Sequence, residues 1–232
     1  MDISQFYQIN TKTFTRQSIS TPYSLEFLKK HDAILIATGV YKAREVDLPG
    51  EDLANIFPAM DFLTASNKKG LGDDVELFDN GTLNAEGKDI VVIGGGDTAM
   101  DCVRTSVRQN AKSVKCLYRR DKENMPGSAR EVGNAEEEGV EFVWLSSPKE
   151  FIGKNKVESL IVNKIKLGEP DDSGRRKPEI QENSDFNIKA DIVIKALGFD
   201  AEDLPNLFDS KDLKVTKWGT LKVDFDTMES NL

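Results

Sequence analysis

The sequence predicts an α/β fold with a parallel sheet, and three observations point to it. Residues 89–93 form a short, largely β-branched run that is typical of a buried parallel strand. A glycine turn, Gly94–Gly96, follows at once. Small or apolar residues then recur at helical spacing, which predicts an amphipathic helix of about three turns; they are Ala99, Cys102, Val103, Ser106 and Val107.

The elements that follow this helix extend the pattern to βαβαβ. Residues 113–118 are predicted as the second strand and residues 141–145 as the third. Residues 128–138 are predicted to form a helix between them, which Gly139 ends. Strands joined by such helices are parallel, because the crossover connection is right-handed. This part of the sequence therefore predicts a Rossmann-like sheet.

The glycine turn has the residue types that a dinucleotide site needs. Gly94 allows the tight turn out of the strand, and Gly96 lets the backbone approach a pyrophosphate. Ala99 takes the third position of the pattern, where a small side chain lets the helix pack close to the strand. The N–H groups and the positive dipole end of the helix would face the phosphates. A phosphate-binding loop fits this turn less well, because the turn lacks the Gly-Lys-Ser/Thr ending of such loops.

Two arginines, Arg119 and Arg120, follow the strand at 113–118, where the ribose of the adenosine half lies in such folds. An acidic residue at this place would accept the 2′-hydroxyl of NAD, whereas guanidinium groups suit a 2′-phosphate. The pair therefore favours NADP over NAD. The alternative is a solvated strand end, with Asp121 pairing one guanidinium.

The remaining segments give weaker signals. Before the glycine turn we expect a helical turn at 25–30, a buried strand at 32–39, a helical piece at 59–65 and a surface connection over 66–88. After residue 149 the pattern changes to strands and turns, which predicts a β-meander. Its expected parts are a strand at 157–166, a polar connection at 168–185, a strand at 186–197 and a hairpin at 213–227.

Composition narrows the function. The 232-residue chain carries 31 basic and 40 acidic residues and a formal charge of −9, which argues against a general affinity for nucleic acid or anionic membrane. His31 is the sole histidine, so neither a zinc site nor a Ser-His-Asp triad is expected. Cys102 and Cys116 are the two cysteines and are predicted as buried, reduced thiols. A long apolar run and a signal peptide are both lacking, which predicts a cytoplasmic protein.

Taken together, these motifs resemble the small (beta) subunit of bacterial NADPH-dependent glutamate synthase, a flavoprotein with two dinucleotide-binding domains. The resemblance runs from about residue 25 to the end of the chain and is more specific than the glycine turn alone. It is carried by residues 37–44, 61–67, 94–103, 118–121, 124–128, 134–145, 195–199 and 218–220.

The resemblance implies a domain organisation and an activity. Residues 1–48 and 201–232 would be parts of an FAD-binding domain, and residues 49–200 an NADPH-binding domain inserted between them. The N-terminal iron–sulfur domain, the FAD glycine fingerprint and the C-terminal FAD segment look absent from this chain. The complete subunit would pass a hydride from NADPH to FAD, and electrons then reach the large subunit for glutamate synthesis from glutamine and 2-oxoglutarate. Two cysteines cannot ligate the clusters of that family.

By the same resemblance, twelve residues would contact cofactors, and none would be catalytic, because the cofactors carry the chemistry. The pyrophosphate of NADPH would lie against Gly94, Gly95, Gly96, Asp97, Thr98 and Ala99. Arg119 and Arg120 would hold the 2′-phosphate. The crossings between the two domains would be formed by Thr38, Gly39, Gly198 and Phe199.

Two other interpretations remain open at this point. One is a stand-alone NADP-binding module without redox activity. The other is an ordinary NADP dehydrogenase, which would need its own proton donor, and no such group of residues is evident in the sequence. For the chain by itself we expect NADPH binding without turnover.

Overall fold

A computed structural model describes residues 35–36, 39–170 and 176–232 of the chain. The chain divides into two compact units. Unit 1 comprises Met1–Lys42 with Phe199–Leu232, and unit 2 is Ala43–Gly198. The helical turn predicted at 25–30 and most of the strand predicted at 32–39, including Thr38, lie outside the described residues.

The described residues form these elements. The strands are β1 (Lys42–Ala43), β2 (Ile56–Pro58), β3 (Asp89–Ile93), β4 (Ser113–Leu117), β5 (Glu141–Val143), β6 (Ser146–Gly153), β7 (Val157–Pro170), β8 (Arg176–Ile180), β9 (Phe186–Lys189), β10 (Ile192–Lys195) and β11 (Phe199–Asp200). The helices are α1 (Ala59–Gly70), α2 (Glu76–Asp79), α3 (Asp97–Arg108), α4 (Ala129–Glu137) and α5 (Leu204–Leu207).

A five-stranded sheet in the order β2-β10-β3-β4-β5 forms the centre of unit 2, and every pairing in it is parallel. The predicted βαβαβ is confirmed as β3-α3-β4-α4-β5. Because side chains alternate along a strand, each strand of this sheet contributes to two different layers.

One face of the sheet packs against helices. Its strand residues include Ile90, Val92 and Cys116, and they share a core with α1, α3 and α4. The helices contribute buried side chains to this core, among them Phe62, Met100, Cys102, Val103, Val132 and Ala135. Burial of these apolar side chains supplies most of the stability of such a layer.

The other face packs against an antiparallel sheet. Val91, Ile93, Leu117 and Val193 meet side chains of β6, β7 and β9 in a second core that includes Phe151, Leu160, Val162 and Ile188. The long strand β7 organises this sheet, since it pairs with β6, β8 and β9. Unit 2 therefore has three layers, with helices, a parallel sheet and the expected β-meander in that order.

Three segments of unit 2 differ from the sequence-based expectation. The segment 66–88 is more than a surface connection, because α1 continues to Gly70, α2 follows, and Leu83 and Ala85 are buried. The Ala85 N–H donates to the Gln109 side chain over 2.8 Å, which holds this segment against α3.

The strand predicted at 186–197 is two strands in two sheets. β9 pairs with β7, and β10 lies between β2 and β3. The chain changes sheets at Asp191, whose carboxylate accepts the N–H of Asp89 over 2.9 Å. Within the segment predicted as a polar connection, β8 pairs with the second half of β7.

Unit 1 contains the strand β11 and the short helix α5. The predicted hairpin at 213–227 is reduced to one bridge between Val215 and Leu221. Its turn is tight: the Thr216 N–H donates to the Thr220 carbonyl over 2.7 Å, and Gly219 has a φ of +80°.

At the opposite end of the parallel sheet from the glycine turn, Asp89 makes stability depend on pH. Its carboxylate accepts from Ser113 over 2.8 Å and lies 2.9 Å from Lys189 Nζ and 3.1 Å from Lys112 Nζ. The Lys189 ammonium is the largest cause that lowers the pKa of Asp89 to about 2 from an ordinary 3.8. The stabilisation is therefore complete above the unfolded pKa and is lost as pH falls toward 2.

We expect Asp89→Asn to be less stable than the unmodified chain at pH 7. The gap between their free energies of unfolding should narrow on acidification. The gap should shrink by about 1 kcal/mol between pH 7 and pH 3, because the unmodified carboxylate is partly protonated in the unfolded state at pH 3. Urea unfolding at both pH values measures it. A gap that stays constant would show that Asp89 does not titrate as described.

Candidate functional site

The carboxyl ends of three central strands meet at one edge of the parallel sheet. Ile93 of β3 lies in register with Leu117 of β4 on one side and with Lys195 of β10 on the other. The glycine turn, the arginine pair and the segment Ala196–Gly198 therefore leave the sheet side by side. In open α/β sheets, ligands bind at this edge, where the strand order reverses.

The three glycines of the turn have different surroundings. Gly94 has a φ of +148°, and a Cβ there would lie 2.2 Å from the Ala196 carbonyl oxygen. A Cβ on Gly95 would lie 2.4 Å from the Tyr118 ring. At Gly96 a Cβ would meet nothing within 4 Å. Gly94 and Gly95 are thus required by the packing of the protein, whereas Gly96 leaves open space for a ligand.

Helix α3 begins in that open space with unpaired donors. Gly96 is its N-cap residue, and no side chain caps the helix. Among the described residues, the N–H groups of Gly96, Asp97 and Thr98 have no hydrogen-bond acceptor. These donors and the helix dipole together suit an anion. Ala99 lies in the core beneath the turn, where its small side chain lets α3 pack close to β3.

The two arginines after β4 are not equivalent. The Arg119 side chain is exposed and has no hydrogen bond or ion pair to any residue that the structure describes. Arg120 is buried, and its Nε donates to the Arg176 carbonyl over 3.1 Å. Asp121 does not pair either guanidinium, because its carboxylate accepts from the backbone and side-chain nitrogens of Asn124 over 3.0 and 2.6 Å. Asp121 therefore leaves both guanidinium groups unpaired by its charge, and the exposed one of Arg119 is open to an anionic ligand.

Tyr118 is a residue of this site that the sequence did not single out by its chemistry. Its ring lies beneath Gly95, and its hydroxyl donates to the Asn124 carbonyl over 3.0 Å. The ring therefore supports the glycine turn from below. The feature of the sequence that could have pointed to Tyr118 is its position immediately before the arginine pair.

The four residues predicted at the crossings fall in different places. Thr38 lies outside the described residues, and Gly39 and Phe199 belong to unit 1. Gly198 belongs to unit 2, where it follows β10 with a φ of +84° and accepts the Arg44 N–H over 3.0 Å. Within unit 2, the edge therefore brings together the glycine turn, the arginine pair and Gly198.

The cysteines have a structural place at this edge, where the Cys116 thiol donates to the Gly94 carbonyl over 3.4 Å. Cys102 and Cys116 are free and buried, as predicted. Burial raises the pKa of Cys116 to about 12 and also raises that of Cys102, so both thiols are protonated at neutral pH. In the described ranges, no cluster of histidine, cysteine and acidic side chains is arranged to hold a metal ion. Nor does any helix of those ranges have the length and apolar character to cross a bilayer.

Two solved structures share this architecture. Mycobacterium tuberculosis FprA in complex with NADPH has a TM-score of 0.63 at 19% identity, over 78% of this chain and 53% of that chain. Lactococcus lactis thioredoxin reductase has a TM-score of 0.56 at 20% identity, over 84% of this chain and 52% of that chain. The predicted α/β, Rossmann-like fold is therefore confirmed.

Sequence comparison extends this from fold to family. The chain is 59% identical over 207 residues to the glutamate synthase (NADPH) small chain of Azospirillum brasilense, which covers 89% of this chain and 43% of that protein. It is also 54% identical over 231 residues to the putative glutamate synthase (NADPH) small chain of Cereibacter sphaeroides. That alignment covers 99% of this chain and 55% of the relative. The resemblance stated above is confirmed, and the chain spans about half the length of the curated relatives it matches. Residues 7–231, nearly the whole chain, match the pyridine nucleotide-disulphide oxidoreductase family, so the chain belongs to that family.

Proposed function

We propose that unit 2 binds NADPH at the carboxyl edge of its parallel sheet. The observation that carries this proposal is the combination of unpaired N–H groups at Gly96, Asp97 and Thr98 with the open space at Gly96. These donors would hydrogen-bond the diphosphate, and the helix dipole of α3 would favour its negative charge.

The arginine pair would select the phosphorylated form of the coenzyme. Arg119 is exposed and unpaired in the described part of the chain, so its guanidinium can turn toward a 2′-phosphate without breaking an existing bond. Arg120 is held by the Arg176 carbonyl, which fixes its stem and orients its remaining N–H groups. Planar guanidinium groups bind phosphate through paired hydrogen bonds, and this would favour NADPH over NADH.

In the whole protein, the chemistry supplied by bound NADPH is hydride transfer to FAD, as part of an NADPH-dependent glutamate synthase small chain acting in the cytoplasm with a large subunit. This chain's own residues bind and orient the coenzyme and exclude water, and none need serve as an acid or a base. We further propose that residues 1–48 and 201–232 belong to the FAD domain and residues 49–200 to the NADPH domain.

The described residues do not fit the two other cofactors that the resemblance implies, FAD and an iron–sulfur cluster. One glycine turn joins a parallel strand to a helix in this part of the chain, so it offers one dinucleotide cradle, and we assign that cradle to NADPH. The two cysteines of the sequence are buried on α3 and β4 and cannot hold an iron–sulfur cluster, which takes four thiolates.

Thermal unfolding with NADPH or FAD added tests this proposal. At about a hundred times its dissociation constant, NADPH should stabilise the chain by about 2.7 kcal/mol. FAD should give little stabilisation, and the chain alone should not reduce an artificial electron acceptor with NADPH. A lack of stabilisation by NADPH contradicts the proposal. NADPH binding by the complete subunit without acceptor reduction would favour the alternative, a stand-alone NADP-binding module without redox activity.

A further inference from the structure

A short loop connects the arginine pair to the glycine turn. This return loop, residues 121–128, begins directly after Arg120 and ends on the turn that follows β3. Two of its backbone groups are bonded there: the Gly127 N–H donates to the Gly95 carbonyl over 2.8 Å, and the Ser128 N–H donates to the Asp97 carboxylate over 2.9 Å. The two halves of the candidate coenzyme site are therefore joined by hydrogen bonds.

The return loop is also fixed at its start. Asp121 accepts two hydrogen bonds from Asn124, and the Asn124 carbonyl accepts the Tyr118 hydroxyl. Ser128 is the N-cap of α4, with its Oγ accepting from the Glu131 N–H over 3.3 Å. Loss of the bond from the Ser128 N–H to Asp97 would therefore loosen the contact between the end of the loop and the glycine turn, while the start of the loop remains anchored.

The approach of the loop to the turn is close. A Cβ on Gly127 would lie 3.1 Å from the Gly95 carbonyl oxygen, so glycine allows this contact and a larger residue would widen it. By contrast, a Cβ on Gly133, one turn into α4, would meet nothing within 4 Å. The two glycines offer a matched comparison, with one at the contact and one away from it.

Asp97 is an unexpected residue at this place. Its carboxylate stands in the first turn of α3, beside the donors proposed for a diphosphate, where a negative charge would repel that ligand. Its hydrogen bond from the Ser128 N–H explains why an acceptor is useful there. The geometry requires an acceptor at Oδ1 but does not require the charge.

We propose that Asp97 is a positioning residue that holds the return loop against the glycine turn, so that the arginine pair and the unpaired N–H groups face one NADPH molecule together. This inference rests on the proposed function. A loop that is ordered before binding spares the coenzyme the entropic cost of ordering it, which strengthens binding. Asp97 thereby couples recognition of the 2′-phosphate to recognition of the diphosphate.

The test compares Asp97→Ala with Asp97→Asn in the full chain, using calorimetric titration with NADPH. Alanine removes the acceptor, and we expect binding to weaken roughly tenfold, because NADPH binding must then also order the return loop. Asparagine keeps an Oδ1 acceptor and removes the charge, so it should bind NADPH at least as tightly as the unmodified chain. Equal losses in both variants, or no loss in the alanine variant, would overturn the inference.

A second measurement does not depend on the coenzyme. Without NADPH, amide hydrogen exchange at Gly127 and Ser128 should be faster in Asp97→Ala than in the unmodified chain, while the core of β3 keeps its protection. Unchanged exchange at both amides would refute the role of Asp97 even if NADPH binds as proposed. Gly127→Ala should weaken NADPH binding in the same way as Asp97→Ala, and Gly133→Ala serves as the control with unchanged binding. Failure of the unmodified chain to bind NADPH would instead refute the proposed function.

Discussion

Gly94→Ala destabilises the chain by about 3 kcal/mol or more, because alanine must adopt a φ that L-residues avoid and must displace neighbouring backbone. The Gly94 φ is +148°, and the added Cβ would lie 2.2 Å from the Ala196 carbonyl oxygen. That oxygen belongs to the segment after β10, whose Ala196 N–H is bonded to the Ile93 carbonyl. The neighbour is backbone held by the sheet, so it cannot move aside cheaply.

Gly96→Ala is the matched variant, and its expected result is the reverse. No atom lies within 4 Å of the added Cβ, and φ and ψ of −92° and 178° are open to alanine. Stability should change by less than about 1 kcal/mol, which allows for the poorer N-cap. NADPH binding should weaken roughly tenfold or more, since the Cβ occupies the space through which the diphosphate approaches the backbone.

Urea unfolding and calorimetric titration of both variants measure these two effects separately. The comparison divides the glycine turn into a residue that the fold requires and a residue that the ligand requires. Normal NADPH binding by Gly96→Ala would place the diphosphate elsewhere. Normal stability of Gly94→Ala would contradict the close contact between the turn and the segment after β10.

Arg119→Ala is expected to have the largest effect on coenzyme choice. The side chain is exposed and unpaired in the described residues, so the free energy of unfolding should change by less than about 0.5 kcal/mol. NADPH binding should weaken roughly tenfold or more, by the loss of a charged hydrogen bond to the 2′-phosphate, while NADH binding stays nearly unchanged. Paired calorimetric titrations with the two coenzymes measure the effect.

Two other arginines serve as comparisons. Arg120→Ala should lower both stability and NADPH affinity, because the buried Arg120 side chain also holds the Arg176 carbonyl. Arg108 lies at the far end of α3, where it pairs with Glu138, so Arg108→Ala should leave coenzyme binding unchanged. If Arg119→Ala weakens NADPH and NADH equally, the proposed contact with the 2′-phosphate is wrong.

The βαβαβ of unit 2 could be predicted because each of its parts has a local signal. The run 90–93 is apolar throughout and is fully buried between two layers, as its composition indicated. The residue types at Gly94 and Ser128 match the special backbone positions that the structure gives them, a positive φ and an N-cap. Where local chemistry and the tertiary structure require the same residue, the sequence is sufficient.

The β-meander was harder to predict from sequence, because its strands depend on the strands with which they pair. β8 has the sequence Arg-Lys-Pro-Glu-Ile and is mostly exposed, so it has no apolar pattern to detect. It is a strand because β7 extends beyond β6 and β9 and offers it an edge. Likewise, the apolar run 186–197 resembles one strand, and only the tertiary structure divides it between two sheets.

In the candidate site, too, some features have a local sequence signal and others depend on the tertiary structure. The glycine turn and the arginine pair could be located from sequence, since both follow strands of a recognisable βαβ unit. The difference between Arg119 and Arg120 could not, because it depends on tertiary contacts: Arg120 is buried and bonded to β8, whereas Arg119 is exposed. The bond between Asp97 and Ser128 joins residues 31 positions apart and has no local signal.

The measurement that tests the central claim most directly is the ratio of dissociation constants for NADPH and NADH, obtained by calorimetric titration of the unmodified chain. The claim is that the glycine turn binds the diphosphate while the neighbouring arginine pair binds the 2′-phosphate. It predicts that both coenzymes bind and that NADPH binds at least about tenfold more tightly. Equal dissociation constants, or binding of neither coenzyme, would contradict it.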